Sequence, residues 1–244
     1  MKILNYNISR VVDNDIPMYN EYFGNNRPVM LNFGGNKHPL WQNFDRTHLI
    51  GDDIDILQDN NTVDFIYISN ILEGLTELQV YSFLSECYRV LKRNGYLRIT
   101  TKNINLFNYA RQNKDIYCFD HVKNFKRYSL NQLFINEFAT QCSSVNSDTF
   151  ISDKELDTAL YNVPFFEVLD EITTTKIDLT KHKISDNINW FNIYKIESIL
   201  KSKIGINKNL FISQYGQSNV PVMRNVAYFD NHLPQKSLYF EIRK

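Results

Sequence analysis

Apolar positions between residues 28 and 104 fall into short unbroken runs separated by polar turns, with one longer stretch at helical spacing. "PVMLNF" is apolar without alternation, as a strand buried on both faces is. "WQNFD" reads as a weaker second strand, and "THLIGDD" as a strand end or loop carrying acids. "VDFIYIS" is a strong buried strand, residues 63–69. A helix follows: Thr76 and Gln79 form a capping-box pattern, Leu78, Tyr81, Leu84, Tyr88 and Leu91 recur at helical spacing, and Asn94-Gly95 supplies a stop. "YLRIT" is the next strand. Strand, turn, strand, strand, helix, strand predicts an α/β fold with a doubly wound, mostly parallel sheet.

The pattern then loosens. "SLNQLFINEFATQ" and "DKELDTALYN" read as helices, while "VPFFEVLDEITTTKIDL" fits strand or loop. Residues 105–190 are read as an inserted helical cap within one domain spanning 1–244, and residues 1–28 as a polar lead-in that packs on it. "YKIESILKSK" is a short helix stopped near Gly205, and "NLFIS" and "SLYFEIRK" are two late strands. The loop between them, about 20 residues, is longer than ordinary connections and is a candidate functional segment.

Composition narrows the function classes. The chain has 244 residues, and its 27 Lys+Arg against 27 Asp+Glu leave no basic footprint for nucleic acid or an anionic membrane. No run approaches the roughly 18 apolar residues of a membrane span, and "MKILNYNISR" lacks the apolar core of a signal peptide. Cys87, Cys118 and Cys142 are scattered without CxxC spacing, a reduced, cytoplasmic pattern that predicts no metal site. The 14% of aromatic residues is high and is accounted for by core and half-buried surface.

In a doubly wound sheet, ligands sit at the carboxyl ends of the strands near the switch point. Chain order therefore nominates Asn32, Gly34 and Gly35 after the first strand, Asp45 after the second, Asp52 and Asp53 after the third, and Ser69 and Asn70 after the fourth. A carboxylate after the second strand suits ribose hydroxyls, and one after the third suits the exocyclic amine of adenine. Glycines let a backbone approach where a Cβ would clash. A dinucleotide fingerprint needs a full helix between the glycines and an acid about 20 residues on. Only nine residues, Pro39 among them, separate Gly35 from Asp45, so no helix N-terminus is available for a pyrophosphate. NAD, FAD and ATP are disfavoured, and S-adenosylmethionine, an adenosine cofactor without phosphates, is left.

These motifs resemble the class I, methyltransferase type 11-like family of S-adenosylmethionine-dependent methyltransferases, and within it the branch encoded beside bacterial surface-polysaccharide genes. "LNFGGNKHPLWQNFD" is similar to that branch's L-N-L-G-C-G, short loop and G-W-x-N-x-D, with Trp41, Asn43 and Asp45 matching. "DFIYISNILEGL" resembles D-x-I-Y-x-S-H-V-L-E-H-L, and "ECYRVLKRNGYLRI" resembles E-x-x-R-V-L-K-P-G-G-x-L-R-I. "IGI" at 204–206 and the tail "YGQSNVPVMRNVAYFDNHLPQKSLYFE" are also similar. The resemblance covers roughly residues 28–104 and 190–242. It implies a Rossmann-like methyltransferase fold, with Gly34 and Gly35 near the methionine part of the cofactor, Asp45 on the ribose, Asp53 or Asp52 toward the adenine, and Ser69 and Asn70 near the sulfonium. The sequence departs from the pattern at Asn36, where the family has a third glycine, at Asn70 and Gly74, where it has histidines, and at Arg93-Asn94. Asn tolerates left-handed angles, so Asn36 is expected to keep the turn.

Methyl transfer is positioning chemistry, and a hydroxyl acceptor also needs a general base. His121, in the segment after the fifth-strand region, is the candidate base among five histidines. Glu73 reads as a cap or packing residue. Tyr215, Gln217, Ser218 and Arg224 of the late loop either bind a sugar or anionic acceptor or brace the last two strands. The absence of an N-P-P-Y-type motif favours an oxygen acceptor. The resemblance implies O-methylation of a small sugar, sugar nucleotide or surface-glycan precursor. The alternative is a methyltransferase-fold binding protein with a degenerate cofactor site, and an NAD-using sugar enzyme stands further off.

Overall fold

The computed structural model describes residues 28–49, 51, 54–206 and 209–244. Nearly all of the expected lead-in, together with Asp52 and Asp53, lies outside the described residues. Six strands form one mixed sheet: β1 (Met30–Phe33), β2 (Gln42–Phe44), β3 (Val63–Ser69), β4 (Leu91–Lys102), β5 (Leu210–Ser213) and β6 (Ser237–Arg243), ordered β2-β1-β3-β4-β6-β5. The first four run parallel, and β6 is antiparallel to both β4 and β5. The doubly wound, mostly parallel α/β class is thus the observed one. Among the described residues no strand forms between β2 and β3, where "THLIGDD" is ambiguous; a short 3-10 turn, Arg46–His48, follows β2 instead.

Alternate residues of each strand face opposite sides. On one face Leu31, Phe33, Ile66, Ile68, Leu97, Ile99, Phe240 and Ile242 form the main core with helix α1 (Glu77–Val90) and with Ile196, Ile199 and Leu200 near the late helix Ile193–Ser198. The capping box of Thr76 and Gln79 is present. The buried stripe of α1 is Val80, Phe83, Leu84, Cys87 and Val90, while Leu78 is 70% exposed and Tyr81 and Tyr88 are half-buried. The stripe expected from sequence thus lies beside the buried one and shares only Leu84 with it inside the helix. Both sets recur every three to four residues, so the spacing fits two adjacent helical stripes equally well. The helix also stops four residues before Asn94, and β4 starts at Leu91.

The second face is covered differently. Residues 34–41 between β1 and β2 form turns, not a helix, as their length requires. Met30, Trp41 and Tyr67 pack there on Val220, Val222, Met223 and Phe229 of the late loop, so this loop does the covering that a crossover helix does elsewhere. Below it, Arg98, which is wholly buried, ion-pairs with Asp230 at 2.5 Å and Glu241 at 2.8 Å, fastening the loop to the sheet.

Residues after β4 build a second core at the carboxyl edge. Helices α2 (Ile104–Gln112), α3 (Leu130–Asn136), α4 (Asp153–Asn162) and α5 (Phe165–Glu171) enclose Phe107, Phe119, Phe134, Phe138, Leu156 and Leu169. "VPFFEVL" is therefore helix, where the sequence pattern fits strand or loop: Pro164 starts it, and Val168 and Leu169 turn inward. No helix of the described residues is long and apolar enough to cross a membrane.

Candidate functional site

The chain leaves β1 outward to β2 and returns to β3 on the other side, so the switch point lies between the carboxyl ends of β1 and β3. Gly34 has φ +78°, and a Cβ there would stand 2.5 Å from the carbonyl oxygen of Ser69. Its glycine character is what lets the two strand ends close on each other. A Cβ on Gly35 would stand 2.7 Å from Oδ1 of Asn32 and the Tyr67 ring. The left-handed residue expected at Asn36 is found instead at Gly34 and at Asn70, φ 47°. Asn36 is held by a side-chain bond to the Ala227 carbonyl at 3.3 Å.

The short loop is stitched by asparagines. Asn32 Nδ2 donates to the Asn36 carbonyl and to Asn43 Oδ1, both at 2.8 Å. Asn43 in turn accepts from His38 N and donates to the carbonyls of His38 and Trp41. His38 is buried against Trp41, Tyr228 and Phe229, and burial lowers its pKa to about 4. Asn43 lies in β2 with Trp41 just before it and Asp45 just after it, and each has a distinct job: loop hub, core and edge carboxylate.

Asp45 is exposed at the end of β2. Its Oδ1 takes Thr47 N at 2.9 Å, the Thr47 hydroxyl and His48 Nδ1 at 2.9 Å, which holds its pKa below the ordinary aspartate value and leaves Oδ2 for a further donor. Ser69 is buried, its hydroxyl accepting from Thr100 at 3.2 Å. Asn70 Oδ1 and Glu73 Oε2 are buried acceptors without a hydrogen-bond partner. Glu73 Oε1 accepts from Thr101 Oγ1 at 2.8 Å and Lys102 N at 2.6 Å, and its backbone carbonyl accepts from Ile188 and Asn189.

At the end of β4, His121 Nε2 lies 2.9 Å from Glu137 Oε1, and Lys102 Nζ lies 2.7 Å from Glu137 Oε2. Burial pushes the Glu137 carboxyl up, but Lys102 and His121 outweigh it and hold the pKa at about 2. An ionised carboxylate only accepts, so Nε2 of His121 carries the hydrogen of this bond. Among the described residues no group of His, Cys, Asp and Glu is arranged to hold a metal ion.

Residues 29–99 match the family described as "Methyltransferase domain". The matched segment is less than a third of the chain. Solved structures similar to it include an S-adenosylmethionine-dependent methyltransferase from Archaeoglobus fulgidus, at 10% identity and a TM-score of 0.40 over 96% of this chain and 93% of that one. Another is a putative S-adenosyl-L-methionine-dependent methyltransferase from Methanococcus maripaludis, at 12% identity and a TM-score of 0.35, covering 94% and 86%. No curated protein matches the sequence. The structural likenesses are too loose to bear on function, and the domain match supports a methyltransferase enzyme with S-adenosylmethionine as cofactor.

The residues at the switch point of this domain fit that cofactor. Asp45 Oδ2 is an open acceptor after β2, and Asn70 Oδ1 and Glu73 Oε2 are unpartnered acceptors after β3. Asn32 Nδ2 is engaged in the loop, while its Oδ1 is a further buried acceptor without a hydrogen-bond partner, facing Gly35. The late-loop candidates do not converge. Ser218 is buried and bonds Glu241, so it moves from ligand contact to brace. Arg224 is exposed, and its Nε donates to the Ser218 carbonyl at 2.7 Å. Gln217 is exposed, its carbonyl accepting from Arg98. Tyr215 lines a cavity of about 250 Å³ with Pro234 and Tyr239.

Three residues escaped the sequence reading: Arg46, Lys102 and Glu137. Lys102 and Glu137 sit in no motif, and their pairing spans 35 positions. Arg46 directly follows the Asp45 motif, and that adjacency was the available signal.

Proposed function

We propose that the protein transfers a methyl group from S-adenosylmethionine to a hydroxyl of a small sugar, sugar nucleotide or surface-glycan precursor, with His121 as general base. The observation that carries this reading is the His121–Glu137 pair, which stands on the same sheet edge as Asp45 and Gly34. A base whose second nitrogen is held by a buried carboxylate is the arrangement that hydroxyl activation needs. When bound, S-adenosylmethionine supplies an activated methyl on a good leaving group. Asp45 holds its ribose, Gly34 and Gly35 give room for the chain beside it, and Asn70 accepts from its amino end. His121 takes the acceptor proton at Nδ1, and Glu137 stabilises the resulting imidazolium. The choice of a sugar acceptor is supported by the resemblance of the motifs, and Tyr215, which lines the cavity with Pro234 and Tyr239, is the proposed acceptor contact.

The test is methyl transfer from labelled cofactor to a panel of sugars, sugar phosphates and sugar nucleotides, in wild type and His121→Ala. An oxygen-methylated product, with the rate falling about 100-fold in the variant and cofactor affinity unchanged, is expected. Equal rates in the two proteins refute the base assignment. Cofactor binding without transfer to any acceptor of the panel supports the alternative, a fold that binds without catalysing, which the altered Asn70 and Gly74 positions favour.

A further inference from the structure

Arg46 lies partly buried across Gly74, where a Cβ would stand 2.5 Å from its Nη1. Nη1 donates to the carbonyls of Ile184 and Asp186, each at 3.2 Å, and Nη2 donates to the carbonyl of Asn70 at 2.7 Å. A guanidinium has five N–H donors, so Nε–H and one Nη2 hydrogen are left over. Every partner is a neutral carbonyl. Glu73 and Asp186 are near enough to act on its charge, but neither forms an ion pair with it, and burial pulls its pKa down. A half-buried cation with no carboxylate in contact is costly unless something supplies one. Next to it, Asn70 Oδ1 and Glu73 Oε2 are the reverse case, buried acceptors without donors. The unmet needs of this corner are one anion that accepts in a fork and one cation that donates.

We propose that Arg46, Asn70 and Glu73 form a receptor for an α-amino-acid zwitterion, the guanidinium taking the carboxylate and the two unpartnered oxygens taking the ammonium. It rests on the cofactor reading above, since the amino-acid end of S-adenosylmethionine is that zwitterion. A carboxylate matches the planar fork bidentately, which no backbone carbonyl does. The glycine at 74 has a reason under this arrangement: any side chain there displaces the guanidinium.

Two ligands isolate the zwitterion. S-adenosylhomocysteine carries it, and 5′-methylthioadenosine shares the nucleoside but lacks it. Calorimetric titration of both into wild type, Arg46→Ala and Arg46→Lys reads the difference. Arg46→Ala is expected to weaken S-adenosylhomocysteine about 30-fold, and 5′-methylthioadenosine less than about 3-fold. Arg46→Lys, which keeps the charge without the fork, is expected between the two. Retained 5′-methylthioadenosine binding shows that the variant is folded. If Arg46→Ala does not fold, comparison of the two ligands on wild type and Arg46→Lys decides in its place. Equal losses for the two ligands, or no loss for S-adenosylhomocysteine, overturn the receptor and leave Arg46 a clasp between sheet and insertion. A wild type that binds neither ligand overturns the cofactor reading beneath it, which is a separate result.

Discussion

Nε2 of His121 and Oε1 of Glu137 stand 2.9 Å apart, the carboxylate wholly buried and the imidazole partly open to solvent. Glu137 therefore fixes both the tautomer and the ring plane of His121, and Lys102 keeps it ionised from the other side. Glu137→Gln keeps the shape but replaces an obligate acceptor with an amide that can donate. The expected outcome is a fall in kcat of about 10- to 100-fold, on the scale of a general-base contribution, with unchanged KM for the cofactor. A loss confined to thermal stability, with kcat per folded molecule intact, contradicts the positioning role.

Gly34 and Gly205 have almost the same left-handed φ, +78° and +77°, but a Cβ meets Ser69 O and Ile71 at Gly34 and nothing within 4 Å at Gly205. Alanine at Gly205 is expected to cost about 1 kcal/mol, the backbone term alone. Alanine at Gly34 is expected to cost about 3 kcal/mol or more, because backbone cannot yield as a side chain can. Chemical denaturation of the two variants gives the numbers, and equal costs would mean that the close approach of β1 to β3 is unimportant.

The parts of the molecule legible in the sequence are those where one period or one spacing admits a single structure. Val63–Ser69 is too short and too apolar to be anything but a buried strand, and nine residues with a proline cannot hold a crossover helix. Asp45 is legible for the same reason, as the acid that ends the next strand. The segment 105–190 is less so. Its helices pack on one another, so burial comes from several sides and the apolar stripe widens, as around Phe165–Glu171. The site residues that were missed share a cause. Arg46 with the Asn70 carbonyl, and Lys102 with Glu137, are 24 and 35 positions apart; the first pair joins only when β2 and β3 lie in one sheet, the second only when residues 105–190 fold onto the sheet edge. Ser218 failed in the other direction: a hydroxyl in a long loop gives no sign that Glu241, buried in the last strand, needs it.

Arg98 is a structural counterpart to Arg46, a guanidinium that already has its anions. It is buried with Asp230 and Glu241, and also donates to Ser213 Oγ and to the carbonyls of Gln214 and Gln217. Arg98→Leu leaves two carboxylates buried and unpaired, and is expected to destabilise by about 3–5 kcal/mol. The late loop then loses its fastening over Trp41 and Tyr67, so quenching of tryptophan fluorescence by a small neutral quencher is expected to rise before global unfolding. A variant as stable as wild type would show that the apolar contacts of Val222, Met223 and Phe229 hold the loop by themselves.

His38 sets the acid sensitivity of the loop between β1 and β2. Nδ1 accepts from Leu40 N at 3.1 Å, which only an unprotonated nitrogen does, and the ring lies among Trp41, Tyr228 and Phe229. Its folded pKa of about 4 is below the ordinary histidine value of 6.5. Between those values the unfolded chain binds more protons than the folded one, so stability falls as pH falls. The contribution is complete above about pH 6.5, is lost progressively down to about pH 4, and is constant below; at the limit it is about 3 kcal/mol. Glutamine at this position keeps an acceptor and cannot take the proton. Melting curves of wild type and His38→Gln across pH 7.5 to 4.5 are therefore expected to converge or cross as the wild type loses its advantage. Parallel curves over that range would mean that the ring protonates in place, with the Leu40 bond already broken.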